Sequence, residues 1–522
     1  MVRKMRTLSK WWGNRLKPFP QTLQSLIKKT ARISPLHHAT HATPSHNKVN
    51  NTAKRPHLKP NPNFSYDQEL QAELFGRRLL REELKAFSDD LIHQHLRNGF
   101  LKVEPGIRTE KGRPVCQRCG NHAPEQLASY QCGRCGQTCV YCRNCLTLGV
   151  VKACSQLFTW SGPPVAHPAL PKLDLHWKGK LTSLQQQAAD QLTQAVQVKE
   201  DFVIWAVTGA GKTEVLYPAL KDAIETGQRI ALVSPRTDVV IELSKRIKTV
   251  FSDIRVNVLY GESTEAYTPA PLTLATTHQL LRFYHSFDAI FIDEVDAFPF
   301  HNSKMLHYAL EHALKPGAPR LFLTATPSSK MKADFERGRL KGVRIPERFH
   351  GHPLPLPTFE WMGNWRRQLE KNKLPVKIKR WTLTQLNTQR QAFLFVPSIT
   401  TLETVLPMLK ALDKRIVGVH AEDPLRHQKV EAFRSGEIQI LVTTTILERG
   451  VTISSLDVAV FGADAELFDE RALVQISGRV GRDHRDPTGG LYYFHYGVTW
   501  HMIKAFKHIN QMNTLAKEWR MK

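Results

Sequence analysis

The sequence predicts an α/β protein of two parallel-sheet lobes, preceded by a small Cys-rich zinc module and a disordered basic N-terminal arm. Three observations carry this prediction. Short Val/Ile/Leu/Phe-rich runs alternate with longer amphipathic segments over two separate stretches, as the strands and helices of parallel sheets do. All eight cysteines fall between Cys116 and Cys154, which is clustering for metal and not a scatter of core thiols. Residues 1–60 carry 13 Lys or Arg and no Asp or Glu, a composition that cannot bury enough apolar surface to fold alone.

The elements follow in order. The basic arm covers 1–62, and its acid-free, Arg-containing start is equally the composition of an organellar transit peptide. Residues 63–105 read as a helical segment, with Leu70, Leu74, Leu79, Leu80 and Leu84 recurring on one face. The cysteine module occupies 106–162, and Pro163, Pro164, Pro168 and Pro171 mark a linker behind it. The first lobe spans 181–345, with strands expected at 204–207, 230–233, 289–292 and 321–324. A connector rich in Pro, aromatic residues and Arg covers 346–375. The second lobe spans 376–522, with strands expected at 392–396, 416–419, 438–442, 458–461 and 491–494.

Totals bound the function. At 522 residues the chain is long enough for about three domains. Its 73 basic against 47 acidic side chains leave a net charge of +26, which favours a polyanionic partner because each neutralised phosphate releases a counterion. No run approaches the ~18 apolar residues that span a bilayer. Acidic lipid attracts the same charge, so a peripheral membrane association stays open. Clustered thiols imply a reducing compartment.

The sharpest local signal is AVTGAGKT at 206–213, directly after an apolar run and before a helix expected near Glu214. Its glycines let backbone N–H groups cradle phosphate oxygens at a helix N-terminus. Thr208, Gly209, Ala210, Gly211, Lys212, Thr213 and Glu214 are the nucleotide-binding candidates. Lys212 would reach the β/γ-phosphates of ATP, and Thr213 would offer its hydroxyl to Mg²⁺. Eighty residues on, FIDEVD at 291–296 is an apolar strand ending in carboxylates. Asp293 suits Mg²⁺ through water, and Glu294 suits orienting and deprotonating an attacking water. Asp296 would couple this site to Thr324 and Thr326, whose hydroxyls suit a switch. Upstream, Gln185 carries an amide able to pair with both donor and acceptor on an adenine edge.

Together these residues resemble superfamily 2 helicases of the DEAD/DEAH type over 181–496, which implies two RecA-like lobes. The resemblance makes Arg236, Thr276 and Thr277 phosphate contacts on one nucleic-acid strand. In the second lobe, QISGRVGR at 475–482 resembles the family's arginine-finger motif, preceded by Thr443, Thr444 and the segment from Glu448 to Gly450; His420 and Arg426 match further motifs. By that resemblance Gln475, Arg479 and Arg482 join the catalytic set, and Thr443 and Thr444 the nucleic-acid contacts. Chemically, a guanidinium arriving as the lobes close stabilises charge developing on a cleaved phosphate. Arg479 and Arg482, three apart, share a face if the segment is helical.

The cysteines form C-x-x-C pairs that suit tetrahedral zinc. Cys142 cannot serve two separate sites, so Cys116, Cys119, Cys142 and Cys145 are assigned to one ion. Cys132, Cys135, Cys139 and Cys154 then remain for a nested second site, and whether the module takes one zinc ion or two stays open. The module is expected to be structural, displaying Arg118, Arg134 and Arg143 for phosphate.

The combination of the cysteine series with TWSG at 159–162, the phosphate loop, HGHPLPLP at 350–357 and Met512-Asn513 is similar to the ComFA family of late-competence DNA-uptake ATPases. That resemblance implies a cytoplasmic ATPase at the inner face of the membrane, drawing in single-stranded DNA with a ComFC-like partner and a membrane channel. It leaves oligomeric state open and does not foresee the basic arm. Two other readings stand beside it: a primosomal restart-type helicase, whose cysteines follow the first lobe where these precede it, and a non-hydrolysing zinc-dependent DNA-binding scaffold, which the intact Lys212, Asp293, Glu294 and Arg482 disfavour.

Overall fold

The computed structural model describes residues 58–521 apart from 166–171, 262, 264–266, 389, 449–452 and 454. Nearly all of the expected basic arm, Pro168 and Pro171 of the linker, and Arg449 and Gly450 lie outside the described residues.

Residues buried on both faces of a sheet read as continuous apolar runs, because helices cover both sides of a parallel sheet. Phe202–Ala206, Ile230–Ser234 and Leu272–Thr276 are buried along their whole length. They belong to a seven-stranded, fully parallel sheet in the order Val256–Leu259, Leu272–Thr276, Ile230–Ser234, Ala289–Asp293, Arg320–Thr324, Phe202–Ala206, Lys341–Ile345. A second parallel sheet has six strands in the order Thr358–Trp361, Leu491–His495, Leu456–Phe461, Gln391–Phe395, Ile440–Thr443, Ile416–Val419. These are the two parallel-sheet lobes, and each strand expected from the sequence is present within about two residues of its expected bounds. Parallel order brings Ala206, Ser234, Thr276, Asp293 and Thr324 to one edge of the first sheet, where ligands bind in such folds.

The structure departs from expectation in two places. Residues 66–98 are not one helix: Gln68–Leu74 and Asp89–Arg97 are helical, but Arg78–Leu80 is a strand paired with Gln156–Trp160, itself paired with Leu101–Pro105. Gly76 takes φ of +70°, which turns the chain out of the first helix and aims Leu79 and Leu80 into a sheet. Part of the 346–375 stretch is also not a connector, since Thr358–Trp361 is the edge strand of the second sheet. Pro355 and Pro357 in front of it hide the strand pattern.

The cysteine module is built from the hairpin Ile107–Glu110 with Arg113–Cys116, and from the antiparallel strands Leu127–Gln131, Thr138–Cys142 and Val151–Lys152. It does not stand apart from the motor. Cys116, Cys119, Cys142 and Cys145 share one hydrophobic core with Leu280, Phe283, Ile292, Leu306 and Leu310 of the first lobe. A Cβ on Gly120 would run into the ring of Tyr308, so the knuckle lies flat on helix Lys304–Ala313. Glu83 bridges the two parts, accepting from Arg118 at 2.9 Å and from Arg282 at 2.7 Å. Arg118 is therefore 1% exposed and holds the module to the lobe, which overturns its expected display toward phosphate. Arg134 pairs with Glu82 at 2.6 Å, and Arg143 donates to the Glu125 carbonyl at 3.3 Å.

Candidate nucleotide and nucleic-acid site

The phosphate loop lies between strand Phe202–Ala206 and helix Lys212–Glu225. Gly209 and Gly211 have φ of +78° and +71°, a region closed to most side chains, and this lets the loop wrap with its N–H groups inward. Lys212 Nζ donates to the carbonyls of Ala206 and Val207 at 3.4 and 3.3 Å. Burial pushes the Lys212 ammonium below its usual value; Asp293 opposes that, Arg482 adds to it, and Glu294 and Asp296 oppose it again. The ammonium thus sits among the carboxylates of the first lobe and within electrostatic reach of a guanidinium from the second. Thr208 is buried, while Thr213 and Glu214 are half-buried in the first turn of the helix.

Asp293 ends its strand and accepts the N–H of Glu294 at 2.9 Å. Glu294 has φ of +58°, an uncommon conformation for a residue with a side chain, and such strain concentrates at functional sites. Asp296 accepts from Thr324 Oγ1 and Thr326 Oγ1, both at 2.6 Å, with all three residues buried. The structure brings together the three residues that the sequence suggested for coupling.

The second lobe closes on this set. A Cβ on Gly478 would collide with the Thr208 hydroxyl, so the arginine segment meets the phosphate loop backbone to side chain. Helix Glu470–Ser477 ends there, with Arg479 in the turn that follows and Arg482 just past it, which corrects the expectation of a shared helical face. Gly478, without a Cβ, admits Thr208 at the helix end, and a φ of +63° at Gly481 takes the chain off the helical path. Gln475 remains within that helix, 4% exposed. Arg479 is 1% exposed, and its Nε donates to the Glu448 carbonyl at 2.9 Å. Burial holds it well below the ordinary arginine value, Arg482 adds to that, and Glu294 opposes it. Arg482 Nε donates to the Gly478 carbonyl at 3.0 Å.

Gln185 is placed differently from expectation. Its Oε1 accepts the Thr182 N–H at 2.8 Å in a capping box, and its Nε2 donates to the Ala210 carbonyl at 2.8 Å. The amide nitrogen braces the phosphate loop and the amide oxygen caps its own helix, so neither end is offered to a base. A cavity of about 210 Å³ lies beside it, lined in part by Thr182, Ala210, Arg348, Phe349 and His350.

The nucleic-acid candidates divide. Arg236 caps helix Thr237–Val250 and pairs at 2.6 Å with Glu448 of the second lobe, whose carbonyl also holds Arg479. One acidic residue therefore connects a candidate strand contact with the arginine segment. Arg426 pairs with Asp238 across the same cleft. Thr276 ends a strand, and Thr443 ends another with its hydroxyl on the Thr444 carbonyl at 3.2 Å. Thr277 is fully buried and its hydroxyl has no hydrogen-bond partner among the described residues, so the fold does not present it at a surface.

Both cysteine quartets assemble as paired by the sequence, each with its four sulfurs within 4.8 Å of one another. Sγ atoms of Cys116 and Cys145 are 3.8 Å apart, those of Cys119 and Cys142 3.5 Å, and those of Cys132 and Cys154 3.8 Å. These distances are too long for disulfides and match the roughly 3.8 Å edge of a tetrahedron with ~2.3 Å Zn–S bonds. The knuckles repeat one turn: Gly120 N–H meets the Cys116 carbonyl and Gly136 N–H the Cys132 carbonyl, each at 2.8 Å, with φ of +69° and +67° at the glycines. The donor sets fit Zn²⁺ twice. Among the described residues no helix is long and apolar enough to cross a membrane.

Sequence reasoning took 346–351 for part of a connector and missed its passage over the phosphate loop, together with the contacts made by Glu83 and Glu448. Their signal exists only in space.

Three family models match the chain: the competence protein ComFA N-terminal domain over 59–159, the type III restriction enzyme res subunit over 178–329, and the helicase conserved C-terminal domain over 376–484. The competence protein ComFA of Bacillus subtilis (strain 168) is 43% identical over 87% of this chain and 97% of its own length. That of Streptococcus pneumoniae (strain ATCC BAA-255 / R6) is 39% identical over 79% and 93%. Among solved structures, S. cerevisiae Dbp5 bound to RNA and ADP BeF3 is similar with a TM-score of 0.47 and 14% identity over 64% of this chain and 88% of that one.

Proposed function

The chain belongs to the ComFA family of competence proteins and is a helicase-like, nucleic-acid-dependent ATPase; from that premise we propose that it is a single-stranded DNA translocase that drives DNA uptake during transformation. The observation that carries this reading is the meeting of the two lobes at the phosphate loop, where Gly478 presses on Thr208 and Arg482 comes within electrostatic reach of Lys212.

In this reading Thr208, Gly209, Ala210, Gly211 and Lys212 bind the phosphates of ATP. Thr213 and Asp293 hold Mg²⁺, which supplies charge neutralisation on the phosphate oxygens when bound. Glu294 accepts the proton of the attacking water, and Arg479 and Arg482 stabilise the charge that develops on the transferred phosphoryl oxygens. Gln475 keeps the arginine segment packed. Asp296 with Thr324 and Thr326 carries the state of the site to the strand-gripping residues Arg236, Thr276, Thr443 and Thr444. Opening and closing of the lobes then alternates the grip on a single strand. In this reading a ComFC-like partner and a membrane channel work with the motor at the inner face of the membrane. Zinc held by the cysteine quartets would be structural.

Lys212→Ala tests this. DNA-stimulated ATP hydrolysis is expected to fall by at least ~100-fold, the scale of a lost phosphate contact in the transition state, while single-stranded DNA binding survives. Undiminished turnover would reject the assignment. Single-stranded DNA should stimulate turnover more than duplex or RNA, with little strand displacement.

A further inference from the structure

The strap joining the lobes crosses the phosphate loop. Ile345 ends the edge strand of the first sheet and accepts the Val207 N–H at 3.1 Å; four residues on, Phe349 N–H donates to the Gly209 carbonyl at 3.0 Å. Between them Arg348 is 2% exposed, and its aliphatic stem lies within ordinary van der Waals contact of where a Gly209 Cβ would stand. The guanidinium reaches the second lobe, donating to the Gly481 carbonyl at 2.6 Å and more weakly to the Gly478 carbonyl at 3.5 Å. His350 Nε2 lies 3.2 Å from the same Gly481 carbonyl.

The charge of this group is the anomaly. Among the described residues no carboxylate pairs with Arg348; its neighbour Glu347 is turned to Arg520. Its Nε is buried without a hydrogen-bond partner, and Arg348 lines the cavity beside Ala210. Burial, with Arg482 adding to it, pushes the guanidinium down to about 9. A buried cation supported only by neutral carbonyls, with a second cation near it, is costly unless an anion joins them. The phosphate loop adjoins that place.

We infer that Arg348 is a nucleotide ligand carried by the strap: its counter-charge is the phosphate chain of bound ATP or ADP, and its bonds to Gly478 and Gly481 pass that charge to the arginine segment. Planar, forked and permanently charged, arginine suits both tasks at once, where lysine would supply only the charge. The inference rests on the reading that the phosphate loop binds ATP, and the test separates the two.

Binding of fluorescent ATP and ADP analogues is measured on the full chain, with Arg348→Met, Arg348→Lys and Lys212→Ala in parallel. Arg348→Met is expected to raise Kd for both nucleotides by roughly 10- to 100-fold, as loss of a charged hydrogen bond does, and Arg348→Lys to recover part of it. Zinc content and DNA binding without nucleotide stay unchanged. Nucleotide Kd values within about twofold of the unsubstituted chain in both Arg348 variants, while Lys212→Ala weakens binding, would overturn the inference. If Arg348→Met fails to fold, Arg348→Lys decides through its Kd and through the rise in melting temperature that nucleotide gives. Unchanged binding in Lys212→Ala would instead remove the phosphate-loop reading.

Discussion

The two cysteine quartets have the same ligands, the same knuckle turn and the same sulfur spacing, yet they sit in different surroundings. Cys116, Cys119, Cys142 and Cys145 are all buried, packed in one core with the first lobe and clamped to it by Arg118, Glu83 and Arg282. In the second quartet Cys135 is exposed and Cys154 half-buried. Metal-site chemistry is local, whereas the stability that a metal contributes depends on what its ligands hold in place. The buried quartet packs the module on the motor's core, whereas the outer quartet reaches beyond the module through the half-exposed Arg134–Glu82 pair.

The largest effect should follow from Cys116→Ser. A structural zinc carries on the order of 10 kcal/mol of folding free energy, and here it is tied to the core beneath the phosphate-binding sheet. Metal analysis should show loss of zinc, and calorimetry a large fall in melting temperature that reaches the first lobe. Cys135→Ser should also lose zinc but move that transition by only a few degrees; equal falls in the two variants would break the comparison. Next comes Glu83→Gln. It leaves Arg118 buried opposite a neutral partner and should cost about 3 kcal/mol, as breaking a buried pair does. Denaturant titration measures that cost, and an outer-quartet zinc that stays bound would show the effect is confined to the inner clamp. A smaller kinetic effect sharpens the contrast: a coloured chelator should take zinc from the exposed quartet in a fast phase and from the buried quartet in a slow one. Release in a single phase would contradict the difference in burial.

The smallest effect comes from outside the module. Glu470 of the second lobe accepts from His508 at 3.2 Å and Lys332 of the first lobe at 3.1 Å. The hydrogen bond with His508 lowers its carboxyl most, burial opposes, and Lys332 adds to the lowering, leaving it at about 2. A carboxyl depressed on folding stabilises the fold fully above its unfolded value and loses that contribution as pH falls through the folded one. Acid melts between pH of about 4.5 and 2 should therefore show a stability loss that Glu470→Gln reduces but does not remove, since Glu83, Glu104 and Asp423 are lowered on folding too, with no release of zinc at neutral pH.

Some elements were legible for clear physical reasons. Strands buried on both faces, such as Phe202–Ala206 and Leu456–Phe461, announce themselves as apolar runs. Edge strand Thr358–Trp361 is half-exposed and flanked by prolines, and its pattern fades with its burial. Leu79 and Leu80 fit a helical period by count, but Gly76 and the partner strand Gln156–Trp160 decided otherwise. Thr277 suited a phosphate contact by position alone, and the fold buries it.

The sequence by itself determined the chemistry of the groups: a glycine loop suited to cradling phosphate, carboxylates at a strand end, and thiols spaced for tetrahedral metal. Those properties are local, written in side-chain types and short spacings. Only the tertiary structure decided that Glu83 joins zinc knuckle to motor, that Gly478 presses on Thr208, and that Arg348 lies buried over the phosphate loop without a carboxylate. Each depends on residues more than a hundred positions apart meeting in a low-dielectric interior, where the cost of an unpaired charge is set by whichever neighbours the whole fold supplies.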